Sequence, residues 1–149
     1  NRLLSLRQDV YWRRCMVETL EMPPGGSLLD VACGTGDVII EAFHQKRAES
    51  ITGIDFAPEM LAIADRKIKS AFPDAHCVLM AADAMEMPFT AKSFDALTIA
   101  FGIRNIIDRR QALSYFRQVL KPNGVLAVLE LATPPPGFIR SLSPCRSSC

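Results

Sequence analysis

The segment Asp30-Val31-Ala32-Cys33-Gly34-Thr35-Gly36 ends a short apolar run in a small-residue turn with two glycines. Glycines so placed let backbone approach a ligand closely and leave the amides at the start of the next helix open. Asp55 follows about twenty residues later, the spacing at which a carboxylate can accept both hydroxyls of a ribose, with Phe56 beside it. Asp83, in Ala82-Asp83-Ala84, is placed to accept an adenine amino hydrogen while apolar neighbours such as Ala84 cover the ring. A dinucleotide site would want a third Gly or Ala at position 39, where Ile39 stands, and would gain nothing from Asp30 near a pyrophosphate. These residues suit an adenosine that carries positive charge rather than phosphate.

Taken singly the signals are weak. A Gly-x-Gly turn is most often only a tight turn, and an Asp that ends a strand is more often a helix cap or turn former. His44 and His76 read as surface or satisfied side chains, and Met80, Met85 and Met87 serve packing more often than a pocket. No ligand spacing for a metal is present, so no metal is expected. The aspartates gain meaning only in combination, if the chain brings three successive strand ends together.

The hydrophobic pattern supplies such a scaffold. Residues 8–21 carry a helical stripe of Trp12, Met16 and Leu20, which Pro23-Pro24-Gly25-Gly26 stops. Strand-like runs at 27–32, 50–54, 76–81, 93–100 and 125–131 alternate with helical spacing at 37–46, at Leu61, Ala64, Ile68 and Phe72, and at Ala112 through Leu120. Pro58 suits a first helical turn and Asp108 an N-cap. Lys121-Pro122-Asn123-Gly124 reads as the turn before the last strand. Strands of nearly continuous apolar character between helices imply an α/β domain with a parallel sheet, whose ligands bind beyond the carboxyl ends of the strands. S-adenosylmethionine is the charged adenosine that fits this arrangement.

Composition narrows the classes further. The 149 residues are one domain's worth, and 49% hydrophobic with 22% charged residues is ordinary for a packed globular chain. A formal charge of +1 leaves no net field to hold nucleic acid. The longest run without Asp, Glu, Lys or Arg, 131–139, contains three prolines and falls far short of the ~20 apolar residues of a membrane span. Five cysteines without a Cys-x-x-Cys pair fit a reducing, cytoplasmic setting.

Leu28-Leu29-Asp30-Val31-Ala32-Cys33-Gly34-Thr35-Gly36-Asp37 resembles the first motif of the class I S-adenosylmethionine-dependent methyltransferases. Three more stretches, Asn1–Leu6 with Tyr11-Trp12-Arg13-Arg14, Phe101-Gly102-Ile103-Arg104-Asn105, and Arg117–Gly124, resemble the ubiquinone and menaquinone biosynthesis C-methyltransferases, the UbiE/MenG family. The resemblance covers residues 1–133 and implies a Rossmann-like sheet of order 3-2-1-4-5. It also implies methyl transfer from S-adenosylmethionine to a ring carbon of a lipophilic, polyprenylated quinol. Carried over, cofactor contacts fall on Thr35, Asp55, Phe56, Asp83 and Ala84, with Asp30, Gly34 and Gly36 shaping the methionine end. A family serine before Phe-Gly is Ala100 here. The family's sixth and seventh strands have no counterpart, since the chain passes into Pro134-Pro135-Pro136 and a Pro/Ser-rich stretch, 134–149, expected to be coil. Strand five is then an edge open to self-association, and a lipophilic acceptor brings the inner face of a membrane within reach.

A quinol carbon becomes nucleophilic when a phenolic oxygen loses its proton, so the protein must favour the phenolate and align the carbon. Arg104 and Asn105 are the candidate catalytic residues. Arg104 is a permanent cation that can stabilise the oxygen, or alternatively a structural partner of Asp108. No general base stands out. Two other classes compete, a cofactor-binding module without turnover and a dinucleotide oxidoreductase, which Ile39 and Asp30 disfavour; among methyltransferases the alternative is an enzyme acting on another small molecule.

Overall fold

Strands and helices alternate through the residues that the structure, a computed structural model, describes, 2–131. In chain order they are α1 (Arg2–Glu18), β1 (Ser27–Val31), α2 (Asp37–His44), β2 (Ser50–Asp55), α3 (Pro58–Ala71), β3 (His76–Ala81), β4 (Phe94–Ala100), a 3-10 turn (Ile103–Asn105), α4 (Arg109–Val119) and β5 (Leu120–Leu129). The strands of the sheet all pair in parallel, in the order β3-β2-β1-β4-β5. This is the expected α/β sheet, with β1 at its centre.

The alternation of side chains along each strand sorts the core into two layers. On one face Leu28 of β1 and Ile51 of β2 pack with Val17 and Leu20 near the end of α1, Ile39 and Ala42 of α2, and Ala64 and Ile68 of α3. On the other, Leu29, Val31, Ile54, Leu97 and Ile99 pack against Ala112, Phe116 and Val119 of α4. Local signals start two of the helices. Pro58 occupies the first turn of α3, where its missing N–H costs nothing. The Asp108 carboxylate accepts the Gln111 amide at 2.9 Å and caps α4.

Element ends differ from the sequence expectation where local hydrogen bonds intervene. The first helix begins at Arg2 and stops at Glu18 rather than Glu21, because the Thr19 hydroxyl donates to the Met16 carbonyl at 2.7 Å and closes the last turn. Residues 121–124, expected as a plain turn, lie inside β5: Phe94 pairs with Leu120 and Ala96 with Val125, so the chain bulges between them. Asn123 takes the left-handed conformation there, at φ 66°. The strand then ends at Leu129, two residues early.

β5 forms one edge of the sheet among the described residues. Val125, Ala127 and Leu129 pack towards the α1 side, while Leu126 and Val128 on the opposite face are 38% and 45% exposed. Val128, inside the apolar run 125–131, therefore lies on an open face. The segment expected as coil, 134–149, lies outside the described residues. No helix among those described is long and apolar enough to cross a membrane.

Candidate functional site

The carboxyl ends of β1, β2, β3 and β4 open into one cleft of about 480 Å³. Asp55 and Phe56 after β2, Asp83 and Ala84 after β3, and Ala100 and Asn105 after β4 all line it, so six of the residues singled out from sequence meet there. Ile54, Met85, Phe101 and Ile106 give it an apolar wall, and no Lys or Arg among the described residues lines it.

Each aspartate is oriented by backbone. Asp55 accepts the Gly34 amide at 2.7 Å through one oxygen and the Ala57 amide at 2.9 Å through the other. The first bond ties the glycine turn to the end of β2, and the second steadies the entry to α3. Asp83 accepts the Met85 amide at 2.8 Å, an Asx-type turn that leaves the carboxylate exposed at the cleft. Phe56 is 82% exposed, a large apolar ring open at the cleft.

Gly34, Thr35, Gly36 and Asp30 do not line the cleft itself; they build the turn beside and beneath it. Gly34 has φ 53°, and a Cβ there would touch nothing within 4 Å, so the space on that side of the glycine is open. Gly36 at φ 80° is required for a different reason, since a Cβ there would sit 3.1 Å from the Ala64 Cβ. Thr35 turns outward, its hydroxyl donating to Asp37 at 3.3 Å. Burial raises the Asp37 carboxyl, but the hydrogen bond and charge of Lys67 outweigh it and hold the group below its usual value. Ile39 is fully buried, its Cδ1 against Gly53 of β2.

Asp30 is 1% exposed and lies between Gly53 of β2 and Thr98 of β4. The Thr98 hydroxyl donates to its Oδ1 at 2.7 Å, while Oδ2 has no partner among the described residues. Burial pushes this carboxyl up to about 7, against the opposing pull of the Thr98 hydroxyl and the charge of Arg13. Burial likewise pushes the neighbouring Cys33 thiol far above its ordinary value.

Arg104 sits on the rim between two cleft residues, Gly102 and Asn105. Its guanidinium donates to Glu130 at 3.1 Å, and that partner replaces the Asp108 pairing weighed from sequence, because Asp108 is occupied as the cap of α4. Arg109 adds bonds to the carbonyls of Ile103 and Arg104 at 3.2 and 3.3 Å, fixing the loop.

Sequence reasoning missed Thr98, Arg13 and Glu130. A hydroxyl inside the apolar run of β4 is a readable signal, since an isolated buried Thr needs an acceptor. Arg13 and Glu130 carry no local signal, because their partners come from packing of distant segments.

The ubiE/COQ5 methyltransferase family model matches residues 1–140. The ubiquinone/menaquinone biosynthesis C-methyltransferase UbiE of Geotalea daltonii is 44% identical over 135 residues, covering 90% of this chain and 57% of that one. The demethylmenaquinone methyltransferase of Thermus thermophilus is 44% identical over 138 residues, covering 92% and 61%. The chain thus spans about 57–61% of the length of these relatives. Among solved structures, the YcgJ protein of Bacillus subtilis superposes with a TM-score of 0.75 at 22% identity, over 80% of this chain and 50% of that one. The [4+2]-cyclase SpnF superposes at 0.73 with 29% identity, over 81% and 44%, so this fold also hosts other chemistry. Sheet order, glycine turn and the matched length agree: this chain belongs to the ubiE/COQ5 methyltransferase family.

Proposed function

We propose that the cleft binds S-adenosylmethionine and that the protein methylates a ring carbon of a polyprenylated quinol. The observation that carries the cofactor reading is the charge of the cleft, with two aspartates on its wall and no cationic side chain among the described residues that line it. A phosphate-bearing nucleotide would meet repulsion there, whereas a sulfonium is attracted. The unpartnered oxygen of buried Asp30 and the open space beside Gly34 fit the polar end of the same ligand.

In this reading Asp55 accepts the ribose hydroxyls, Asp83 and Ala84 hold the adenine, and Phe56 and Ala100 cover it. Asp30 with Gly34, Thr35 and Gly36 shapes the methionine end. Bound there, S-adenosylmethionine supplies an electrophilic methyl group on a positively charged sulfur. Arg104 and Asn105 face the acceptor. Arg104 stabilises the phenolate that forms when the quinol oxygen loses its proton, and electron density then reaches the adjacent carbon. Transfer would break the methyl–sulfur bond as the methyl–carbon bond forms, leaving S-adenosylhomocysteine, and the ring hydrogen would then leave that carbon as a proton to water. Glu130 holds the guanidinium in place. Positioning and electrostatics account for the rate, with no covalent intermediate on the protein.

The acceptor class follows from the family's quinone-methylating relatives, and the apolar wall of Met85, Phe101 and Ile106 suits a lipophilic ring. Incubating the intact protein with methyl-labelled S-adenosylmethionine and either a polyprenyl naphthoquinol or a polyprenyl benzoquinol tests it. Label in one quinol identifies the acceptor. Bound cofactor with label in neither contradicts the quinol assignment.

A further inference from the structure

We propose that Phe101 is a positioning residue of the cleft and that Arg13, on α1, holds its ring in place there. The inference deepens the reading of the cleft as the S-adenosylmethionine site and rests on it. Phe101 lines the cleft directly after β4 and takes the left-handed conformation, at φ 58°. A bulky residue keeps that conformation only where its surroundings over-determine it, and such strain collects at ligand sites. Three contacts impose it here. The Phe101 amide donates to the Leu129 carbonyl at 2.7 Å, which ties the backbone to β5. A Cβ at the next residue, Gly102, would lie 2.7 Å from the Ala32 Cβ, so the loop is pressed against the turn after β1. The guanidinium carbon of half-buried Arg13 stands over the ring, 5.1 Å from its centroid, within the range of a cation–π contact.

The first two contacts belong to the backbone and fix where the residue stands, whereas Arg13 acts on the ring itself. Its place along the chain tells what the ring does. Ala100, just before it, covers the adenosine in the reading above, and Arg104, three residues after it, faces the acceptor. The ring stands at the junction of the two, in the apolar wall of the cleft. Without the cation the strained conformation loses one of its supports, and the ring leaves the wall in a fraction of the molecules. Apparent ligand affinity falls with the fraction that keeps it in place. α1, none of whose described residues lines the cleft, thereby belongs to the site through one side chain.

A double-mutant cycle on Arg13 and Phe101 tests this, read first in the ligand-free protein and then by titration with S-adenosylmethionine. In carbon-13 spectra of the aromatic rings, Arg13→Met, which keeps length but no charge, should shift the Phe101 signals and leave those of the core residue Phe116 in place. Arg13→Lys, which keeps a cation, should shift them less. Phe101 signals that do not move in Arg13→Met overturn the proposal. By calorimetry Arg13→Met should bind S-adenosylmethionine about threefold more weakly, the scale of one cation–π contact, and Phe101→Leu roughly fivefold more weakly. The doubly substituted protein should bind no more weakly than Phe101→Leu alone, because Arg13 acts through a ring that is then absent. Losses that multiply mark two independent effects and overturn the proposal, as does unchanged affinity in Arg13→Met. Phe101→Gly, which takes the left-handed conformation without strain, completes the same cycle should the leucine variant fold poorly. If the unsubstituted protein binds no S-adenosylmethionine, the cofactor reading itself fails, and the ring spectra still decide whether Arg13 holds Phe101.

Discussion

The Gly34 amide donates to the Asp55 carboxylate at 2.7 Å, joining the turn after β1 to the end of β2. One side chain thus shapes the glycine turn and faces the cleft, so its loss has two consequences. Asp55→Ala should weaken S-adenosylmethionine binding by about 2–3 kcal/mol and lower stability by roughly 1–3 kcal/mol through orphaned amides. Asp55→Asn should lose less of each, because one amide can still be satisfied. Titration calorimetry and thermal denaturation measure the two effects separately, and unchanged affinity in Asp55→Ala removes the residue from the site.

Asp30 gives the ligand-free protein a characteristic pH dependence. Its carboxyl, raised by burial from 3.8 to about 7, stays protonated in the folded chain at pH values where the unfolded chain has already ionised. The unfolded state therefore binds fewer protons across that window, and stability is lost as pH rises from about 4 towards 7. Asp30→Asn keeps an acceptor for Thr98 and removes the charge. Its melting temperature should exceed that of the unsubstituted protein at pH 8 and match it closely at pH 4.5. Equal pH dependence of the two would show that Asp30 is ionised at ordinary cost.

The two glycines of the turn should separate in their effects. Gly36→Ala meets the Ala64 Cβ at 3.1 Å in a left-handed conformation, so it should destabilise the fold by at least ~1–2 kcal/mol. Gly34→Ala carries similar strain but meets nothing within 4 Å, so beyond that strain its main effect should fall on ligand binding, where a methyl group enters the open space. Chemical denaturation and calorimetry on both variants check this, and equal loss of affinity for equal loss of stability would contradict it.

Arg104 and Glu130 form a half-exposed pair, which contributes at most ~1 kcal/mol to stability. In the intact protein Arg104→Ala should leave S-adenosylmethionine affinity within about twofold and lower the transfer rate by ~10²-fold, the scale for losing one charge-stabilising group. Arg104→Lys should recover part of it, since an ammonium lacks the planar fork. If affinity and stability fall together while the rate per bound cofactor holds, the pair is structural.

The open face of β5 predicts self-association, because an apolar edge strand invites pairing with another chain. Val128→Lys places a charge on that face, where the valine is 45% exposed, and should reduce concentration-dependent light scattering without unfolding the chain. A concentration-independent monomer before substitution would show that the edge is covered.

Much of the cleft was legible because strand ends are marked twice, by the close of an apolar run and by the turn chemistry after it. Asp55, Asp83 and Ala100 all stand at such places. The strand order came through the family resemblance, since alternation alone does not tell which strands are neighbours. What stayed hidden depends on register. Glu130 reaches Arg104 across 26 residues only because β5 lies beside β4 with a bulge after Leu120, and nothing in Lys121-Pro122-Asn123-Gly124 announces that those residues continue the strand. Arg13 is likewise unreadable from its neighbours, as its partner ring lies in the loop after β4. Thr98 was visible in principle, a lone hydroxyl among apolar residues opposite Asp30.

Calorimetric titration of the chain with S-adenosylmethionine and, separately, with NAD tests the central claim most directly. One S-adenosylmethionine should bind per chain, binding should weaken about a hundredfold in Asp55→Ala, and NAD should give no heat. Binding of NAD, or S-adenosylmethionine binding that survives Asp55→Ala unchanged, would contradict it.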